Sequence, residues 1–179
     1  MKKNQARESI IRTASRLFYK QGYSNTGINQ IIDEAGIVKS TLYQHFKSKE
    51  ELLIAYLDET GSSTLKALKD VSQTGVTAKE KVLTIFDYLE DLVVRTDFYG
   101  CHFLNIVYEM PDGEERARQQ IKKQKNAVRE ILREIVEPIG NMELADEIYT
   151  LFEGALIAHK VHGATWPIAS AKGIINKLL

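Results

Sequence analysis

Residues 27–46, GINQIIDEAGIVKSTLYQHF, limit what this chain can fold into more than any other stretch. Ile28, Ile31, Ile32 and Ala35 recur at helical spacing and mark one face of a short helix over 28–35. Gly36 follows, a residue free to take the left-handed backbone that ends a helix and turns the chain. Val38, Leu42 and Phe46, each four residues apart, predict the buried face of a second helix. Its outer face keeps Lys39, Ser40, Tyr43, Gln44 and Lys47, all polar and none acidic. A helix that is apolar behind and basic, hydroxylic and aromatic in front carries the groups that read base edges in a major groove. The competing reading is a plain helical hairpin whose polar face meets only water.

Charge distribution weighs against the plain hairpin. Lys2, Lys3, Arg7, Arg12, Arg16, Lys20, Lys39, Lys47 and Lys49 face only Glu8, Asp33 and Glu34 in the same stretch, so residues 1–49 carry 9 − 3 = +6. The remainder holds 24 − 9 = 15 basic and 24 − 3 = 21 acidic residues, or −6. A neutral total thus hides a basic first third, the electrostatic footprint of a polyanionic partner.

Several residues in register now carry a resemblance. They are Ala14, Leu17-Phe18, Gly22-Tyr23, Thr26, Ile31, Ala35-Gly36, Lys39, Thr41-Leu42-Tyr43, His45-Phe46, Ser48-Lys49-Glu50 and Leu52. On these residues Arg7–Leu52 resembles the DNA-binding domain of the TetR/AcrR family of transcriptional regulators. Gly27 and Val38 depart from the family's frequent Ser or Thr at helix starts, and Val38 has no side-chain oxygen with which to cap. The resemblance implies an all-α fold with a three-helix helix-turn-helix domain over residues 1–47. A helical ligand-binding and dimerisation domain would follow over 48–179, with helix 4 bridging the two. It implies base or backbone contacts from Lys39, Thr41, Tyr43 and His45; the outward stripe adds Ser40 and Gln44. Thr26, Tyr43 and Lys49 are expected at phosphates, and Gln44 is best suited to an adenine edge. His45 is equally suited to a hinge between helices 3 and 4.

Composition agrees with a globular helical protein: apolar residues make up 44% and charged residues 27%, with only three prolines, each at a predicted helix boundary. A single cysteine, Cys101, excludes an intramolecular disulfide and suits a reducing compartment. The polar, basic start has no signal-peptide pattern, and no apolar run is long enough to span a bilayer, so a cytoplasmic location is expected.

Taken in order, residues 1–6 read as a polar tail and helix 1 as Arg7–Gln21. Ser48 and Glu51 form a capping-box pattern opening helix 4, which continues to about Val71 across Gly61. Thr77 and Glu80 repeat that pattern before helix 5, which runs to about Arg95. Helix 6 is expected over Cys101–Glu109, stopped by Pro111-Asp112-Gly113, and helix 7 over Glu114–Val136. Asn141 is expected to cap helix 8, reaching about Val161, and Pro167 to begin helix 9.

Helix 8 carries the small residues Gly154, Ala155 and Ala158 beside Leu151. Such a stripe suits close approach of another helix, from the same chain or from a second copy. The resemblance favours a homodimer through the last two helices. Leu65, Leu68, Tyr99, His102, Phe103, Tyr108, Tyr149, Phe152 and His159 supply apolar and aromatic walls with sparse polar groups, the make-up of a small-molecule pocket.

No catalytic constellation is evident. Cys101 and His102 are adjacent, so on a helix their side chains diverge by about 100°. His159 and His162 lack further ligands at metal-binding spacing, and no phosphate-cradling or dinucleotide loop occurs, so neither a metal nor a cofactor is expected. The expected function is a ligand-responsive transcriptional regulator, a repressor released from a pseudo-palindromic operator by an unidentified small molecule. Its rivals are a helical interaction module without an operator and an enzyme built in the C-terminal helices.

Overall fold

A computed structural model of the chain describes residues 2–95, 97–110 and 113–179, with side chains from residue 5 onward. Pro111 and Asp112, expected to stop helix 6, lie outside the described residues, as does Met1. Every regular element among the described residues is helical: α1 (Lys2–Gln21), α2 (Ile28–Ala35), α3 (Lys39–His45), α4 (Lys49–Ser72), α5 (Ala78–Val93), α6 (His102–Glu109), α7 (Glu115–Val136), α8 (Glu143–His162) and α9 (Trp166–Leu178), with a 3-10 turn at Glu137–Ile139. The expected polar tail is instead helical from Lys2.

The chain forms two compact units. Residues 1–61 and 102–122 make the first, called the head below; residues 62–101 and 123–179 make the second, the body. α4 crosses from one to the other at Gly61 without a break. The division therefore differs from one drawn after residue 47. The reason is local: α6 and the start of α7 pack on the helices that precede them. Ser24 Oγ donates to the Glu109 carbonyl at 2.8 Å, and the His102 ring stacks on Tyr19 with centroids 3.6 Å apart.

In the head, Ile10, Ala14, Ile31, Leu42, Leu52, Leu53 and Leu57 are completely buried, and Phe18 meets Tyr23 and Tyr56 edge-on. The α2–α3 turn is built as the spacing predicts. Gly36 caps α2 with φ +65°, and its N–H and that of Ile37 return to the Asp33 and Ile32 carbonyls. Val38 is a correction. It precedes α3 in extended backbone and is 64% exposed, so only Leu42 and Phe46 form the buried back of α3.

In the body, α5, α7, α8 and α9 surround a core in which Val82, Phe86, Val136, Ile148, Ile168 and Ile175 are wholly excluded from solvent. Thr77 and Glu80 form the expected reciprocal cap of α5. At α8 the capping position falls on Met142, while Asn141 Oδ1, one residue earlier, accepts the Glu143 N–H at 3.2 Å.

His102 opens α6 inside the head core, where its Nδ1 and the Tyr56 Oη share a hydrogen bond of 2.5 Å. Burial pushes its pKa from the ordinary 6.5 down to about 4. The folded ring is therefore neutral where the unfolded chain takes up a proton. Stability should be fully present above pH 6.5, fall as pH drops, and level off below about 4, for a total loss of about 3 kcal/mol. Urea unfolding across that range checks this, and His102→Gln should flatten the slope. An equally steep profile in the variant would remove the ring from this account.

Candidate nucleic-acid interface

The head presents α3 as a short exposed rod. With Leu42 fully buried and Phe46 only 3% exposed, its back is fixed to the core. Lys39, Ser40, Tyr43 and Gln44 then face solvent, and Thr41 and His45 are half-buried at its margins. Tyr43 keeps 45% of its surface exposed, unusual for so large an apolar ring. The His45 ring lies 6.4 Å from the Phe46 ring, close to the α3–α4 bend. Arg7 reaches from α1 to lie 5.4 Å over Phe46, so this cation also covers the base of α3.

Around α3 the basic surface is partly spoken for. Arg16 is paired with Glu34, whose carboxyl is held below the usual range first by that contact and then by Gln30. Arg12, Lys20, Lys39 and Lys47 are exposed. The side chains of Lys2 and Lys3, counted in the +6 stretch, lie outside the described residues.

Two phosphate expectations meet a different geometry. Thr26 is 1% exposed, and its hydroxyl donates to the Gly22 carbonyl at 2.7 Å, so it braces the α1–α2 turn and offers no group to a ligand. Lys49 turns inward. Its Nζ donates to the Tyr23 carbonyl at 2.6 Å and sits 4.1 Å from the Tyr23 ring centroid. Burial holds the Lys49 pKa below the ordinary lysine range, and Glu114 and Glu109 offset only part of that. The backbone at this end of α4 is capped: Ser48 Oγ accepts the Glu51 N–H at 3.1 Å, and Glu51 Oε2 accepts the Lys47 N–H at 2.7 Å. The return bond of the capping box thus reaches one residue further back than the pattern predicts.

The residues expected around a small molecule do not share one unit. His102 and the buried Phe103 belong to the head, and Tyr108, on the same helix, is 75% exposed and walls nothing. In the body, Leu68 and Phe152 are core residues, Phe152 lying edge-on to Phe86. Leu65, Tyr99, Tyr149 and His159 remain half-buried there. Beside Tyr149 is a polar cluster that no sequence spacing announces. Lys125 Nζ bonds both Glu153 oxygens at 2.7 and 2.8 Å and the Cys101 sulfur at 3.3 Å. Burial works against this ammonium, but Cys101 and Glu153 outweigh it and keep its pKa raised. Burial, then Glu153, raises the Tyr149 hydroxyl as well. Lys125 and Glu153 lie on different helices 28 residues apart, which is why no local spacing announces the pair. Cys101 and His102 indeed point to different partners, and His159 bonds the Ala164 carbonyl while His162 packs on Trp166.

The small-residue stripe of α8 divides. Ala155 is buried in the body core, a correction to its expected place at a dimer seam. Gly154, Ile157 and Val161, at helical spacing, are exposed, with Ala158 half-buried between them, and Ile157 and Val161 are 40% and 72% exposed. Ile174 and Leu178 of α9 add 43% and 42% exposed apolar side chains. The sequence signal for this face was the recurrence after Gly154 of apolar residues three, four and seven positions on.

Known proteins share both the motif and the fold. A family description, "Bacterial regulatory proteins, tetR family", matches residues 10–56. The Bacillus subtilis HTH-type regulator YxaF is 53% identical over 57 residues, 31% of this chain and 30% of that protein. YerO, from the same organism, is 39% identical over 70 residues, 39% and 24% of the two chains. The chain thus spans less than a third of either relative's length in these matches. A solved TetR-family regulator from Streptomyces coelicolor, SCO4454, superposes with TM-score 0.88 at 24% identity, covering 96% of this chain and 87% of that one, which establishes the same fold. Residues 10–56 thus match the helix-turn-helix segment of the tetR family of bacterial regulatory proteins, and the whole chain shares the helical fold of a solved regulator of that family.

Proposed function

We propose that this chain is a TetR-family transcriptional regulator that binds double-stranded operator DNA as a homodimer through α3, and that a small molecule held in the body releases it, so that it acts as a repressor. The observation that carries the reading is the front of α3. Lys39, Ser40, Tyr43 and Gln44 are solvent-facing and include no acid, on a helix whose back is locked in the core. In this reading Gln44 pairs with an adenine edge, Lys39 and Tyr43 hold phosphates, and Thr41 and His45 make contacts at the helix margins. Residues 1–47 act as the reading domain, and residues 48–179 as the sensing and dimerising one.

The outward face of α8 and α9 supports the dimer. Exposed Ile157, Val161, Ile174 and Leu178 on adjoining helices have no use on a solvated surface, and a second copy would cover them along a two-fold axis. Half-buried Leu65, Tyr99, Tyr149 and His159 in the unit that also holds the polar Lys125–Glu153 pair support an effector site in the body. Continuous α4 belongs to both units and offers a mechanical path between them. An effector shifts DNA affinity only by its own preference for the non-binding arrangement, typically by about 1–3 kcal/mol.

Two measurements test this. Fluorescence anisotropy with a duplex selected from a random pool should show binding that weakens steeply with salt. Lys39→Ala should weaken every sequence alike, whereas Gln44→Ala should relax preference at one base pair by about 1–3 kcal/mol. Salt-indifferent affinity would sink the phosphate contacts. For the dimer, Ala158→Arg places a charge in the middle of the outward α8 face. Sedimentation should then find a monomer where the wild type is a dimer, and an unchanged dimer would move the interface elsewhere.

A further inference from the structure

Lys49 stands where the sequence marks a phosphate contact, yet its ammonium faces a recess lined by Tyr23, Ser48, Glu50 and Glu114. The acidic residues of that recess are Glu50 of α4 and Glu114, with Glu109 close by. Glu109, the last residue of α6, accepts the Ser24 N–H at its Oε2 (3.2 Å) and the Ser24 hydroxyl at its carbonyl (2.8 Å). The Tyr23 hydroxyl donates to Glu114 Oε1 at 2.7 Å. Glu114 Oε2 is buried and has no hydrogen-bond partner among the described residues. Gly22, at φ +96°, lets the α6–α7 corner approach: a Cβ there would lie 2.5 Å from Glu109 Oε2. Two carboxylates are therefore anchored on the Tyr23–Ser24 turn whose Tyr23 carbonyl holds the Lys49 ammonium, all within the head.

We propose that Glu109 and Glu114 form a latch that competes with a DNA phosphate for the Lys49 ammonium, so that the α6–α7 corner sets the DNA affinity of the head. The inference rests on the DNA-binding reading above. With the two carboxylates beside it, Lys49 contributes little net positive field to an incoming phosphate. Withdrawal of the two carboxylates frees the cation and adds one phosphate contact, with release of its counterion. The latch thus gives α6 and the start of α7 a direct hold on DNA binding, separate from any movement of α3.

The test uses the full chain and a duplex of about 30 base pairs that it selects from a random pool. Glu109→Gln with Glu114→Gln removes the two charges and keeps every acceptor oxygen that Ser24 and Tyr23 use. The paired variant should bind about tenfold tighter near 0.1 M salt, and its plot of log K against log salt should steepen by about one. In a Lys49→Gln background the same pair should change neither. An unchanged affinity and slope, or an equal gain without Lys49, overturns the competition. Urea unfolding of the four proteins closes a double-mutant cycle, in which coupling between Lys49 and the carboxylates supports the latch and additivity overturns it. A wild-type chain that selects no duplex, while that cycle still shows coupling, defeats the DNA reading and the competition but leaves the internal contact standing.

Discussion

Burial of Leu42 and Phe46 in the head core is the constraint on which the interface depends. A helix of seven residues does not persist alone in water, since nucleation costs more than so few hydrogen bonds return. Two side chains buried to 0% and 3% exposure contribute roughly 1.5–3 kcal/mol each and fix the rotation of α3 about its axis. Once that rotation is set, Lys39, Ser40, Tyr43 and Gln44 have nowhere to point but outward. Gly36 adds the turn angle, and Arg7 over Phe46 seals the base of the helix. The reading surface is thus a consequence of the core behind it.

Outside that surface the head is held by polar contacts of long sequence separation. Tyr23 meets Glu114 91 residues away, and Ser24 meets Glu109 85 residues away. The body has its counterpart in the nearly buried Lys125–Glu153 pair, whose two side chains are each 15% exposed. Pairs of this kind gain little net stability, because both charges lose water, but removal of one partner strands the other. They favour one packing of α7 against α8 over alternatives in which the charges miss each other.

The local features of this structure were legible in the sequence, and the distant ones were not. The bounds of α2, the Gly36 cap and the Thr77–Glu80 box follow from neighbours within four residues, and the apolar periodicities fixed the helix order. Val38 misled because it shares the spacing of Leu42 and Phe46 yet precedes the first helical residue, where the backbone is extended and the side chain faces water. Residue type suggested phosphate for Thr26 and Lys49, but each has a partner inside the head that type alone does not reveal: Thr26 bonds the Gly22 carbonyl and Lys49 the Tyr23 carbonyl. The polar, charged residues before Arg7 looked like a tail, yet from Lys2 onward they continue the first helix. The grouping of Tyr108 with the pocket residues failed because composition counts an aromatic without knowing which face of α6 it occupies.

The central claim is that the front of α3 reads duplex DNA in register with a second copy. Hydroxyl-radical footprinting of the full chain on the DNA flanking its own gene tests it most directly. The account predicts two protected patches on one side of the duplex, about 34–36 Å apart or somewhat wider, over related inverted sequences. Their protection should vanish together in a Gln44→Ala, Tyr43→Ala variant that remains folded. Uniform protection without a preferred site, or two patches that persist in that variant, would contradict it.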